Sequence, residues 1–154
     1  MKFVKLTTHR TPEELLTMLS DNDKVNENVH FDSKRGTPRM KLNENKKRIK
    51  ITCELVGGAT KDNGFFVGTY FSGSIKVKNG ETTLTGAILT APIYHVLLAV
   101  FIALFIVQCF VVKGFSVIPI FALLLDVLLF KEEFKKQGYI FRYLHRAVRR
   151  LEME

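Results

Sequence analysis

Ile93–Val112 reads IYHVLLAVFIALFIVQCFVV, and this run decides the fold. As a helix rising about 1.5 Å per residue it would be about 30 Å long, the thickness of a bilayer's hydrocarbon core. Apolar side chains surround the helix on all sides, and the remainder of a 154-residue chain is too small to bury it, which argues against a core helix. Its two strongly polar side chains, His95 and Gln108, lie toward opposite ends. Thr90 is suited to cap the start, and Pro92 sits in the first turn, where a missing N–H does no harm.

Lys113-Gly114 breaks the run, and Phe115–Phe130, FSVIPIFALLLDVLLF, follows as a second apolar segment. Fully helical it is only about 24 Å long. It either spans by thinning the bilayer or borrowing flanking residues, or enters as a re-entrant segment. Pro119 kinks it or marks its start. Asp126 is costly in a lipid-facing helix, so two readings compete. In one it lines or gates a pore in a homo-oligomer. In the other it pairs structurally with His95, which an antiparallel hairpin brings to the same end, or reaches up to the interface near the end of its helix. Residues 1–90 carry 15 Lys and Arg and the tail after Phe130 carries 7, against Lys113 alone between the helices. That asymmetry places both termini in the cytoplasm. The start, MKFVKL, has no apolar run long enough for a signal peptide, which leaves the first apolar helix as the targeting signal.

Outward toward the N-terminus, the periodicity is that of strands. Thr11-Pro12-Glu13-Glu14 predicts a capped helix ending near Ser20, preceded by a strand at Phe3–Leu6. Ser20–Asn28 is polar and reads as a loop. Val29–Phe31 and Pro38–Leu42 are candidate strands, and Asn43-Glu44-Asn45 a candidate turn. In Lys47–Leu55, Ile49, Ile51, Cys53 and Leu55 alternate with charged and hydroxylated residues. Phe65–Lys78 is a long aromatic-rich strand with Gly68 and Gly73 at bends. Asn79-Gly80 predicts a type I′ turn. Glu81–Thr90 returns and runs directly into the apolar helix, so strain in the sheet is expected to reach the membrane. Four to six antiparallel strands forming a curled sheet or barrel are expected.

Beyond Phe130, Lys131–Lys136 flanks the apolar segment with charge, and Gly138 permits a change of direction. In Tyr139–Leu151, Ile140, Phe141, Leu144, Ala147, Val148 and Leu151 recur at helical spacing, with Arg142, Arg146, Arg149 and Arg150 among the basic positions. This helix either lies on an anionic leaflet, with those arginines at the membrane surface, or docks on the β domain. The expected fold is therefore an α+β membrane protein. A cytoplasmic β-rich domain occupies 1–90, a two-helix transmembrane hairpin 91–130, and a basic amphipathic helix 131–154.

The chain has no phosphate-binding Gly-Lys-Ser/Thr loop, nucleophile elbow or His-Glu-x-x-His, and its four histidines are scattered. Cys53 and Cys109 fall in segments too different to pair. Neither an enzyme, a metal site nor a cofactor is expected. The net charge of +8 favours acidic partners, anionic lipid among them. Arg48, Lys50, Lys76 and Lys78 on neighbouring strands, near Phe66 and Tyr70, form a candidate site in which cations hold phosphates and rings stack on bases. DNA or RNA is not the expected partner.

Gly73-Ser74-Ile75, Gly80-Glu81-Thr82 and Gly86, followed by the apolar run Pro92–Phe130, resemble a family of small bacterial proteins with a β-rich segment, two membrane helices and an amphipathic tail. The likeness covers roughly the last 85 residues. More loosely, the architecture is similar to two-transmembrane β-barrel effectors of antiphage defence. In those, a β domain reads a cyclic nucleotide and the helices damage the inner membrane. The better-known effectors place the helices before the β domain, and this chain reverses that order. The resemblance implies a non-enzymatic sensor and effector at a bacterial inner membrane. The competing expectation is an accessory or scaffold subunit of a membrane complex.

Overall fold

The computed structural model describes residues 1–31, 37–45, 48–56, 68–111 and 118–153. The elements are β1 (Lys2–Thr8), α1 (Pro12–Ser20), α2 (Asn22–Asn26), β2 (Thr37–Asn45), β3 (Arg48–Val56), β4 (Thr69–Lys78), β5 (Glu81–Thr90), α3 (Pro92–Val111) and α4 (Ile118–Met153). The strands form one antiparallel sheet in the order β1-β5-β4-β3-β2. Among the described residues β1 and β2 are its two edges, so these five strands form an open sheet and not a closed barrel.

Strand alternation gives the sheet one apolar face. Val4, Met40, Ile49, Ile51, Cys53, Phe71, Leu84 and Ile88 point to it and are buried. Leu15, Met18 and Leu19 of α1, Val25 of α2, and the Ile140–Leu151 stripe of α4 cover it, making one core. The amphipathic tail is therefore docked on the sheet: Ile140, Leu144 and Ala147 have no solvent exposure. At its centre the Tyr143 hydroxyl donates to the Leu19 carbonyl at 3.0 Å. Burial, with the nearby Asp21 charge, pushes that phenol well above its ordinary pKa, so it stays a donor.

The capping box at the start of α1 is present, with Thr11 and Glu14 bonding reciprocally. The β4–β5 turn has φ of 54° at Asn79 and 79° at Gly80, as a type I′ turn requires. Other details differ from the sequence reading. Within Ser20–Asn28, Asp21 caps the short helix α2 instead of joining a loop. The Asn22 side chain then bonds both backbone groups of Met40, at 2.7 and 2.6 Å, covering the edge strand β2. Val29–Phe31 is not a strand. Asn43–Asn45 continues β2, where Asn43, Glu44 and Asn45 pair with Lys50, Ile49 and Arg48. Thr90 ends β5 and Ala91 immediately precedes α3.

α3 is, among the described residues, the one helix long and apolar enough to cross a membrane, and none of Pro92–Phe110 is buried. It contacts α4. Phe121, Leu124, Val127 and Leu128 in the first part of α4 are likewise exposed. The boundary expected at 130/131 falls inside α4, since the Lys and Glu of Lys131–Lys136 are good helix formers and continue it. Gly138 does not redirect the chain. A Cβ there would meet only Arg142 Nη2, at 3.9 Å. Gly138→Ala is expected to raise stability by about 0.5–1 kcal/mol, through a less flexible unfolded chain, as urea titration in detergent would show.

Candidate ligand-binding face and its link to the apolar helices

The face of the sheet opposite the core is covered by no described helix. Even-numbered residues of β3 and β4 project from it. Lys50 pairs with Ser72 and Thr52 with Tyr70 across these strands. On the far side of β4, Lys76 pairs with Thr83 and Lys78 with Glu81. Arg48, Lys50, Tyr70, Lys76 and Lys78 therefore share one face, while Phe66 lies outside the described residues. Lys50 Nζ sits 4.5 Å from the Tyr70 ring centroid, a cation–π contact.

The five do not form a single small pocket. Tyr70 and Lys78 are eight residues apart on one strand, about 27 Å. Lys50 and Tyr70, with Thr52 and Ser72 beside them, form one cluster. Lys76 and Lys78 lie toward the Asn79-Gly80 turn. β2 adds Arg39 and Lys41 to this face; Lys41 pairs with Glu54 at 2.8 Å, an exposed ion pair of little energetic weight. β1 adds Phe3 and Lys5, residues the sequence reading left unused although they alternate with Val4 and Leu6. With Ser72, Thr85 and Ala87 they line an open depression of about 620 Å³.

A second polar cluster lies where the sheet meets the apolar helices. Glu133 and Lys136, read from sequence as flanking charge, are buried against the sheet and paired at 2.9 Å. The Thr69 hydroxyl lies 2.9 Å from Glu133 Oε2 and 3.0 Å from its carbonyl. Gln137 Nε2 donates to Thr90 Oγ1 at 2.8 Å. The Ala91 N–H donates to the Gly68 carbonyl at 2.9 Å. Gly68 has no room for a Cβ, which would collide with the Glu133 carboxylate. One layer of hydrogen bonds thus joins the start of β4, the end of β5, the residue before α3, and α4.

The intramembrane candidates are placed less fully. His95 is exposed and Gln108 half-buried, each with an interaction of its own. The Asp126 side chain lies outside the described residues, so neither reading of it is decided. Among the tail arginines, Arg142 and Arg149 are exposed. Arg150 bonds the carboxylate and carbonyl of Glu27. Arg146 lies over Phe31, 5.9 Å from the ring centroid. Desolvation, then the Arg142 and Arg150 charges, lower its pKa. Cys53 and Cys109 are free thiols, the first buried and the second exposed. Among the described residues no cluster of His, Cys, Asp or Glu is placed to hold a metal ion. No family profile, curated protein or solved structure matches the chain.

Proposed function

We propose that the chain is a membrane-anchored sensor and effector. α3 and the apolar part of α4 form a transmembrane hairpin in a bacterial inner membrane, with both termini cytoplasmic. The open sheet face binds a small anionic ligand of the cyclic oligonucleotide class. Binding changes self-association of the hairpin and so the integrity of the membrane, as an antiphage effector requires. The observation that carries this reading is the nakedness of α3, whose apolar window has no buried share. At about 1.5–3 kcal/mol for each large apolar side chain held in water, lipid is the environment that relieves the cost. The Lys50–Tyr70 pair supports the ligand class, since cation and ring suit phosphate and base together.

The test combines binding and permeability. Purified protein in lipid nanodiscs is titrated with a panel of cyclic di- and trinucleotides, and dye influx is followed in cells expressing it. Lys50→Ala with Tyr70→Ala is expected to weaken the best binder at least about tenfold, since one base–ring stack contributes about 1–3 kcal/mol. No binder in the panel and no influx in any ligand state would overturn the proposal. The spread of the basic residues over the open face, with no single small pocket, favours a second reading, a scaffold subunit that docks another protein of a membrane complex. That reading predicts stoichiometric co-purification with a partner and no nucleotide binding.

A further inference from the structure

The end of the sheet nearest α3 differs in character from the end nearest the Asn79-Gly80 turn. β5 runs into α3 through Ala91 alone. Lys2 of β1 pairs with Ile88 and Phe3 with Ala87, so Phe3 lies about 10 Å along the strand from the end of β5. Phe3 is 75% exposed. Val56, at the same end of β3, is 48% exposed. At the opposite end the exposed side chains are mainly polar, among them Lys76, Lys78, Asn79 and His9, with Val77 the large apolar exception.

Beside Phe3 is the depression already described. Its floor is short because Ala87 stands between Phe3 and Ser72 across three strands. Lys5 pairs with Thr85 one step farther along, so Lys5 and the hydroxyl residues Ser72 and Thr85 border an open space with room for a phosphate group. A ring and a cation along the border, with the apolar helix at the same end of the sheet, are what an interfacial lipid site needs.

We propose that this depression holds the phosphate of an anionic phospholipid, with Lys5, Ser72 and Thr85 as its ligands and Phe3 resting at the headgroup–acyl boundary. The inference rests on α3 lying in the bilayer. It seats the near end of the sheet on the leaflet surface and leaves the Lys76–Lys78 end in water. It also moves the basic contact with lipid from the tail arginines to β1.

The chain has no tryptophan, so one introduced residue reports alone. Three full-length variants, Phe3→Trp, Val77→Trp and Phe105→Trp, are placed in nanodiscs of phosphatidylcholine with phosphatidylglycerol, with lipid brominated near the top of the acyl chains. Quenching at Phe3→Trp with none at Val77→Trp is the expected result. A Phe3→Trp emission that stays water-like beside a quenched Phe105→Trp overturns this site and spares the anchor. An unquenched Phe105→Trp overturns the anchor and this site together. Quenching at both Phe3→Trp and Val77→Trp means the sheet lies flat, which also overturns the proposed seating. In unsubstituted background, Lys5→Ala is expected to lower phosphatidylglycerol affinity about fivefold, and retention of full affinity would remove Lys5 from the site.

Discussion

Lys136→Ala is expected to lower stability by about 3–5 kcal/mol, measured by urea titration in detergent with circular dichroism as the readout. The side chains of Lys136 and Glu133 are only 11% and 6% exposed, so water does little to screen their pairing at 2.9 Å. Removing the ammonium leaves a carboxylate enclosed by Gly68, Thr69 and α4, with the Thr69 hydroxyl still beside it. One neutral donor does not replace a charge-assisted bond. Replacing both members by apolar residues, Glu133→Leu with Lys136→Met, is expected to cost less than the single change, because no lone charge stays buried. A single-variant loss under about 1 kcal/mol would mean that the pair is solvated. The local signature is as specific as the magnitude. Faster amide exchange should appear first at Ala91, whose N–H donates to the Gly68 carbonyl within the layer.

Gly86→Ala is expected to be destabilising at or above the upper end of the range for overpacked cores, about 3 kcal/mol. Gly86 and Gly73 are direct partners across β5 and β4, and the Phe71 ring lies over both. A methyl group on Gly86 would stand 2.6 Å from Phe71 Cζ and 2.6 Å from the Gly73 Cα, and closer still to the Ser72 carbonyl. The ring could rotate away, but the backbone of β4 cannot without breaking its ladder. Phe71→Leu alongside Gly86→Ala should therefore recover only part of the loss. Thermal melts of the two variants decide this, and a Gly86→Ala protein as stable as the parent would contradict the close approach of β4 and β5. The same substitution has opposite signs at Gly86 and Gly138 because one Cβ meets backbone on a neighbouring strand and the other meets open space.

Much of the architecture could be read from the order of residues, because its signals are local. The Thr11–Glu14 box, the Asn79-Gly80 turn and the alternation of Ile49, Ile51 and Cys53 each need only a few neighbours. So does the unbroken apolarity of α3. Features that depend on partners distant in the chain were not readable. The Ile140–Leu151 stripe states that a face must be covered, but equally suits lipid or a sheet. Asn22 looks like loop polarity until Met40 of an edge strand lies beside it. Glu133 and Lys136 look like solvated flanks until the start of β4 closes over them. At the candidate site, alternation was enough to place Arg48, Lys50, Tyr70, Lys76 and Lys78 on one face. It could not give their spacing along the strands, and it passed over Phe3 and Lys5 because β1 joins the sheet beside the last strand and not the next one.

The unbroken course of α4 has a mechanical consequence. Thirty-six residues make about 54 Å of helix, one end among exposed apolar side chains and the other held by Arg150 to Glu27. With no hinge along its length, a lean of about 10° about its middle swings each end by about 5 Å. Reorientations among the oily segments would therefore be carried along one rigid rod to the end that packs on α1 and α2. The polar layer at Thr69 and Gln137 sits near the fulcrum, where the travel is least and the leverage greatest.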